Sequence, residues 1–252
     1  MGAKQSVRGL ALEELRAWAK SHDLESFRGN QIFSAVHNQR TDNWGKITSL
    51  PKPLRAQLEG SFSIESLILE KKFISLDGTR RFLYRAEDGK VVETVFIPTP
   101  NRDTICFSSQ AGCALGCSFC LTAKLGFLRN LTVAEIVDQI AITLREVYGV
   151  GSNLPHGTNL VAMGEGEPFH NYENLLKAIE IITDKAGMGI AHRRITVSTA
   201  GIVPKIRDFS KLSIRPRLAI SLSAPNDELR NKLMPINKRW PIGELMKAAR
   251  EF

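Results

Sequence analysis

From Asp103 onward the chain repeats one unit, a short apolar, β-branched segment followed by a longer one with apolar residues every three or four positions. TICFSS (104–109) precedes LTVAEIVDQIAITLREVYG (131–149), and TNLVAMG (158–164) precedes YENLLKAIEIITDKAG (172–187). RRITVSTAG (193–201) precedes IVPKIRDFSKL (202–212), and RPRLAISLS (215–223) precedes NDELRNKLM (226–234) and PIGELMKAAREF (241–252). Strand period alternating with helix period predicts a parallel sheet covered by helices, part of a TIM-like (β/α) barrel in the α/β class. Thr132 followed by Glu135 is a capping box for the first long helix. Four parallel strands alone leave RLAISLS as a bare apolar edge, so the reading expects a natural fold with more strands than this chain supplies.

The first hundred residues read differently. Residues 1–60 form a helical module: Leu10, Leu12, Leu15 and Trp18, then Phe27, Ile32, Phe33 and Val36, fall at helical spacing, and LPKPLRAQLEG restarts a helix. These stripes are expected to make a small helical core. Residues 61–102 are read as a β-hairpin extension, with LDG (76–78) and EDG (87–89) as turns. Pro98 and Pro100 make 98–103 a linker, after which 103–252 is the β/α core.

Composition narrows the partners. No apolar run approaches the ~18–20 residues that cross a bilayer, and the N-terminus lacks a secretory core, so a cytoplasmic protein without membrane contact is expected. Met1-Gly2 with Ser6 fits a myristoylation pattern that arises often by chance. The formal net charge is +8, and residues 200–252 hold eleven Lys/Arg against five acids. Such a surface concentrates polyanions, which makes nucleic acid a natural partner, although a merely solvated basic face gives the same count.

All four cysteines, Cys106, Cys113, Cys117 and Cys120, lie within fifteen residues. A disulfide framework spreads its cysteines to close long loops, so clustering indicates metal or redox chemistry. GCALGCSFC (112–120) is a C-x3-C-x2-C triplet directly after a predicted strand. Three thiolates on one loop can hold three corners of a 4Fe-4S cube and leave the fourth iron open for a substrate. Gly112 and Gly116 let the loop wrap, and Phe119 is expected to shield the cluster from water. The competing reading is structural zinc, which needs four ligands. No second C-x2-C pair exists, and Cys106 falls in the strand rather than the loop.

The triplet spacing resembles that of the radical-SAM superfamily. The longer block CFSSQAGCALGCSFCLTAKLGFLRNLTVAEIVDQI resembles the RlmN/Cfr family of RNA adenine methyltransferases. So do MGEGEP (163–168), RRITVSTAGIVP (193–204), LAISLSAPNDELRNKLMPIN (218–237), FRGNQIF (27–33) and LPKPLR (50–55). Within that family the RlmN branch fits better than Cfr. The resemblance implies a 4Fe-4S cluster on Cys113, Cys117 and Cys120, with S-adenosylmethionine on the open iron, two molecules per turnover. It makes Gly166 and Glu167 the contact for the cofactor's amino group, and Ser198, Ser221, Leu222 and Ser223 contacts for its ribose and carboxylate.

It further implies that a methylated C-terminal cysteine gives up hydrogen to a 5′-deoxyadenosyl radical, and that the resulting carbon radical adds to adenine. Cys106 then matches the resolving cysteine that attacks the crosslinked sulfur to form a disulfide, and Glu93 matches the base that removes the adenine proton. Implied partners are 23S ribosomal RNA, transfer RNA and an electron donor such as flavodoxin or ferredoxin, with the protein a monomer. Ser223 departs from the histidine usual there. The family also continues past position 252 to the methyl-carrying cysteine, so the resemblance reads this chain as a fragment that binds a cluster but does not methylate RNA alone. Alternatives are carbon-8 methylation as in Cfr, an inactive RNA-binding relic, and a zinc-binding regulatory module.

Overall fold

The computed structural model describes residues 4–152, 154 and 157–252, so Met1 and Gly2 of the myristoylation match fall outside the described residues. Helices α1 (Leu12–Ser21), α2 (Phe27–Phe33) and α3 (Lys52–Ser61) come first, with one π turn at Ser34–Asn38 continuing α2. Strands β1 (Leu67–Ile74), β2 (Arg80–Ala86), β3 (Val91–Thr99) and β4 (Arg102–Phe107) follow as an antiparallel meander. A small excursion, β5 (Gln110–Gly112), α4 (Leu121–Lys124) and β6 (Phe127–Asn130), frames the cysteine loop. The alternating part contains α5 (Val133–Tyr148), β7 (Thr158–Ala162), α6 (Tyr172–Thr183), β8 (Ile195–Thr199), α7 (Val203–Ser210), β9 (Arg217–Ile220), α8 (Asp227–Leu233) and α9 (Ile242–Glu251).

Seven strands make one sheet in the order β1-β2-β3-β4-β7-β8-β9, antiparallel up to β4 and parallel after it. The expected linker at 98–103 is instead a tight hairpin: Pro98 pairs with Asp103 and Thr99 with Arg102, leaving Pro100 and Asn101 as the turn. Proline presets φ for the first turn position, so the residue that reads as a break is the one that reverses the chain. The hairpin strands are therefore continuous with the parallel ones. Along β4, β7 and β8, Ile105, Phe107, Leu160, Ala162, Ile195 and Val197 are buried. Cys106, Val161, Thr196 and Ser198 alternate with them and are only half-buried on the other face. Helix α5 starts as its sequence predicts, with Thr132 Oγ1 accepting from Glu135 N (3.2 Å) and Glu135 Oε2 accepting from Thr132 N (2.8 Å). Among the described residues no helix is long and apolar enough to cross a membrane.

The N-terminal helices share one continuous core with the sheet, including Val7, Leu15, Ile32 and Leu58 together with Ile136, Ile140 and Leu144. Arg8 joins the two parts. Its side chain has no exposed surface, and Nη1 donates to Asp138 Oδ1 on α5 (2.9 Å) and to Glu65 (3.0 Å). Nη2 and Nε reach the carbonyls of Thr41 and Val36. Asp138 also accepts from Ser66 N, Ser66 Oγ and Leu67 N, so the start of β1 hangs from the same carboxylate.

His37 lies fully buried beside Phe33, with neither ring nitrogen partnered among the described residues. Burial, and then the Arg8 charge, push its pKa down to about 3. An unfolded histidine titrates near 6.5, so as pH falls the unfolded chain takes up the proton first. The stability is complete above about pH 6.5 and is lost progressively towards pH 3, with about 2 kcal/mol gone by pH 5. His37→Leu is expected to flatten that slope in urea unfolding at pH 7.5 and 5.

Candidate functional site

The sheet's parallel strands all end on one side, and there the cysteine loop folds back over them. Its path depends on two left-handed glycines, Gly112 at φ +74° and Gly116 at φ +67°. Gly112 is also the tighter position, because a Cβ there lies 1.9 Å from the Gly126 carbonyl oxygen, which accepts from Cys113 N at 3.0 Å. Gly112→Ala is expected to cost more than the ~1–2 kcal/mol of left-handed strain alone and to sharply reduce iron uptake in anaerobic reconstitution. Two further bonds brace the loop: Cys120 N donates to Cys117 O (3.1 Å), and Ser118 N donates to Leu233 O at the end of α8 (3.0 Å).

Cys113, Cys117 and Cys120 line one cavity of about 280 Å³. Burial, and then the neighbouring negative charges, push the Cys113 thiol up. Burial with Cys113 and Cys120 as neighbours pushes Cys117 up to about 11. Three thiolates so placed repel one another and need a shared cationic centre, which is what an iron–sulfur cube provides. No three Cys, His, Asp or Glu side chains among the described residues converge on a single-ion site. Cys106 does not complete a zinc set, since it lies in β4 between Val95 and Val161 with its sulfur on the Met163 backbone N–H. The donor set fits a cluster with one open corner.

The opposite wall comes from the ends of β7, β8 and β9, as Gly166, Glu167, Ser198, Ser221 and Ser223 line the same cavity. Ser198 Oγ and Ser221 Oγ are 3.2 Å apart, and Ser223 adopts a left-handed φ of +59°. Glu167 is only 2% exposed. Its Oε2 accepts from Ala200 N (2.8 Å) and its Oε1 from Phe169 N (3.1 Å), so the carboxylate staples two loops as well as facing the cavity. Burial pushes this carboxyl above its usual range, and those N–H donors oppose the shift.

Some expected residues stand elsewhere. Leu222 is outside the cavity lining, and its carbonyl accepts from Arg230. Phe119 lines the cavity but is 59% exposed, so it forms a lip rather than a cover. Cys106 and Glu93 are not among the residues lining the cavity; they stand on adjacent strands, Cys106 bonded to the N–H of Met163, which does line it. Burial, and to a smaller degree the Glu93 charge, raise the Cys106 thiol, which the Met163 N–H partly offsets. Glu93 pairs with Arg81 at 3.3 Å in a partly exposed bridge, a contact worth little by itself. Thr199, Ala200 and Met234 also line the cavity. The first two directly end a predicted strand, a position that marks ligand sites in β/α folds. Met234 carries no such signal, because an apolar residue ending a helix reads as core.

A family model described as the radical SAM superfamily matches residues 107–252, and one described as the ribosomal RNA large subunit methyltransferase N-terminal domain matches residues 6–64. The chain is similar to the dual-specificity RNA methyltransferase RlmN of Pelobacter propionicus, 41% identical over 252 residues, covering 100% of this chain and 70% of that protein. It is 44% identical over 246 residues to the RlmN of Syntrophobacter fumaroxidans, covering 98% of this chain and 70% of that one. The chain belongs to the RlmN family of radical-SAM proteins. A radical SAM methyltransferase from Sphaerobacter thermophilus, known from its crystal structure, superposes with a TM-score of 0.92 at 40% identity, covering 98% of this chain and 72% of that one. Radical-SAM proteins use a 4Fe-4S cluster and S-adenosylmethionine, which the α/β fold and the convergent thiols of this RlmN-family chain accommodate.

Proposed function

We propose that this protein is an S-adenosylmethionine-dependent RNA methyltransferase acting on carbon 2 of an adenine, in 23S ribosomal RNA and in transfer RNA. The observation that carries the reading is the meeting of three thiols with Glu167, Ser198 and Ser221 in one cavity at the strand ends. The names of its relatives supply the RNA substrate. A bound cluster supplies one electron to the sulfonium of S-adenosylmethionine. Cys113, Cys117 and Cys120 hold that cluster, and the cavity wall formed by Gly166, Glu167, Ser198, Ser221 and Ser223 orients the cofactor.

Beside that cavity, Glu93 takes the adenine proton and Cys106 closes the disulfide that frees the product. The four cysteines of the sequence are all used in these roles, so the methyl-carrying thiol in this reading is not one of them. The electron comes from a one-electron donor such as flavodoxin or ferredoxin. In this reading the protein acts in the cytoplasm as a monomer, with residues 1–60 an RNA-binding accessory domain, 61–102 a β-hairpin extension and 103–252 the radical-SAM core.

Anaerobically purified protein is expected to be brown, to carry about four irons per chain, and to release deoxyadenosine from S-adenosylmethionine under reductant. Zinc in place of iron refutes the cluster. RNA retention with a steep salt dependence but no deoxyadenosine leaves only an RNA-binding protein. Mass mapping of the modified adenine, with a carrier thiol supplied, separates carbon 2 from carbon 8.

A further inference from the structure

The cavity wall is built from strand ends, and strand ends fray unless their carbonyls are held. Helix α8 places one side chain under two of them. Arg230 has no exposed surface, and its planar head makes four hydrogen bonds. Nε donates to Leu222 O (2.9 Å), Nη2 donates to Ala200 O (2.5 Å) and Ser221 O (3.3 Å), and Nη1 donates to Asn237 Oδ1 (2.7 Å). All four acceptors are neutral oxygens. A buried guanidinium is ordinarily set against a carboxylate, so giving three of its four hydrogen bonds to strand-end carbonyls marks a positional role.

The groups it holds are those that shape the cavity. Ala200 follows β8 and is fixed from both sides, its N–H on Glu167 Oε2 and its carbonyl on Arg230. Ser221 and Leu222 follow β9, and Ser221 N also bonds Thr199 O at 2.9 Å. Asn237 is itself held by Asp227 and Asn231, each at 2.8 Å. The same α8 accepts Ser118 N of the cysteine loop on Leu233 O. One helix thus ties the cluster loop, the end of β8 and the end of β9 together, and Arg230 makes two of those three ties.

We propose that Arg230 is a positioning residue for the cofactor cavity, holding the ends of β8 and β9 at a fixed spacing so that S-adenosylmethionine meets a wall already formed. A wall that must order on binding weakens affinity without touching the ligand. Lysine keeps the charge but is a point donor on a flexible stem, and it cannot reproduce the fork.

The inference rests on the radical-SAM reading of the cavity, and the test separates the two. Arg230→Lys and Arg230→Met are made in the full chain, reconstituted anaerobically and assayed for iron per chain and for S-adenosylmethionine affinity by equilibrium dialysis. The perturbation of the reduced cluster's EPR signal by the cofactor is read alongside. Parental iron content is expected in Arg230→Lys, with affinity lowered about tenfold to a hundredfold, as loss of one or two charge-assisted bonds implies. In cluster-free protein, hydrogen exchange should quicken at 199–201 and 221–223 and not elsewhere. Cofactor affinity within about twofold of the parent in Arg230→Lys overturns the proposal. So does exchange that rises across the whole chain with loss of iron, which makes Arg230 a general fold residue. If Arg230→Met does not fold, Arg230→Lys decides alone. A parent that takes up no iron defeats the cluster reading instead, and the exchange data still judge the clip.

Discussion

Cys117→Ala is expected to abolish iron uptake and to reduce deoxyadenosine release to background while the chain stays folded. Three thiolates are the minimum that holds a cube with one open corner, so losing one removes the site rather than weakening it. The fold should tolerate the change because Cys117 is only half-buried and packs against a small satellite cluster of Cys113, Leu115, Ala200 and Met234, apart from the main core. Metal-free Cys117→Ala should unfold within about 1 kcal/mol of the metal-free parent. Cys106→Ser is the counterpart: parental iron, parental deoxyadenosine release and, with a carrier thiol supplied to both proteins, no methyl transfer completed where the parent completes it. Equal iron loss in both variants contradicts the separation of Cys106 from the cavity.

Arg8→Ala is expected to destabilise the protein by about 3–5 kcal/mol, because it leaves the fully buried Asp138 carboxylate without its counter-charge. Burial, and to a smaller degree the Glu65 charge, push that carboxyl above its usual range, and the Arg8 charge and the Ser66 donors oppose it. For a chain of this length the loss lowers the melting temperature by about 10 °C. The double variant Arg8→Met/Asp138→Leu should recover part of it, since a buried pair replaced as a whole strands no charge. Recovery stays incomplete because Ser66 N, Leu67 N and the carbonyls of Val36 and Thr41 lose partners. Thermal unfolding of the parent and the two variants checks this, and an Arg8→Ala midpoint equal to the parent's contradicts it.

Periodicity carried the alternating half of the chain. Ile105, Leu160 and Ile195 are buried against helices, as their strand pattern requires, and the Thr132 capping box starts α5 where it was expected. The cysteine loop was equally legible, because spacing is a property of sequence alone. What escaped was anything decided by a partner far along the chain. Nothing in the sequence marks Arg8 or Arg230 as buried, since only tertiary packing supplies the oxygens that surround them. Pro98 and Pro100 interrupt a pattern whether they end a strand or turn it, so linker and hairpin look alike until β3 and β4 pair. Apolar stripes in α1 and α2 mark a buried face without saying what covers it. The cover proves to be shared with α5 rather than private to the N-terminal helices.

That shared packing makes the N-terminal helices and the sheet one mechanical unit. The helices are tied through Arg8 to the same α5 that backs the parallel strands. A push on either part is therefore passed through the buried Arg8–Asp138 pair to the other, instead of being absorbed at a hinge between them.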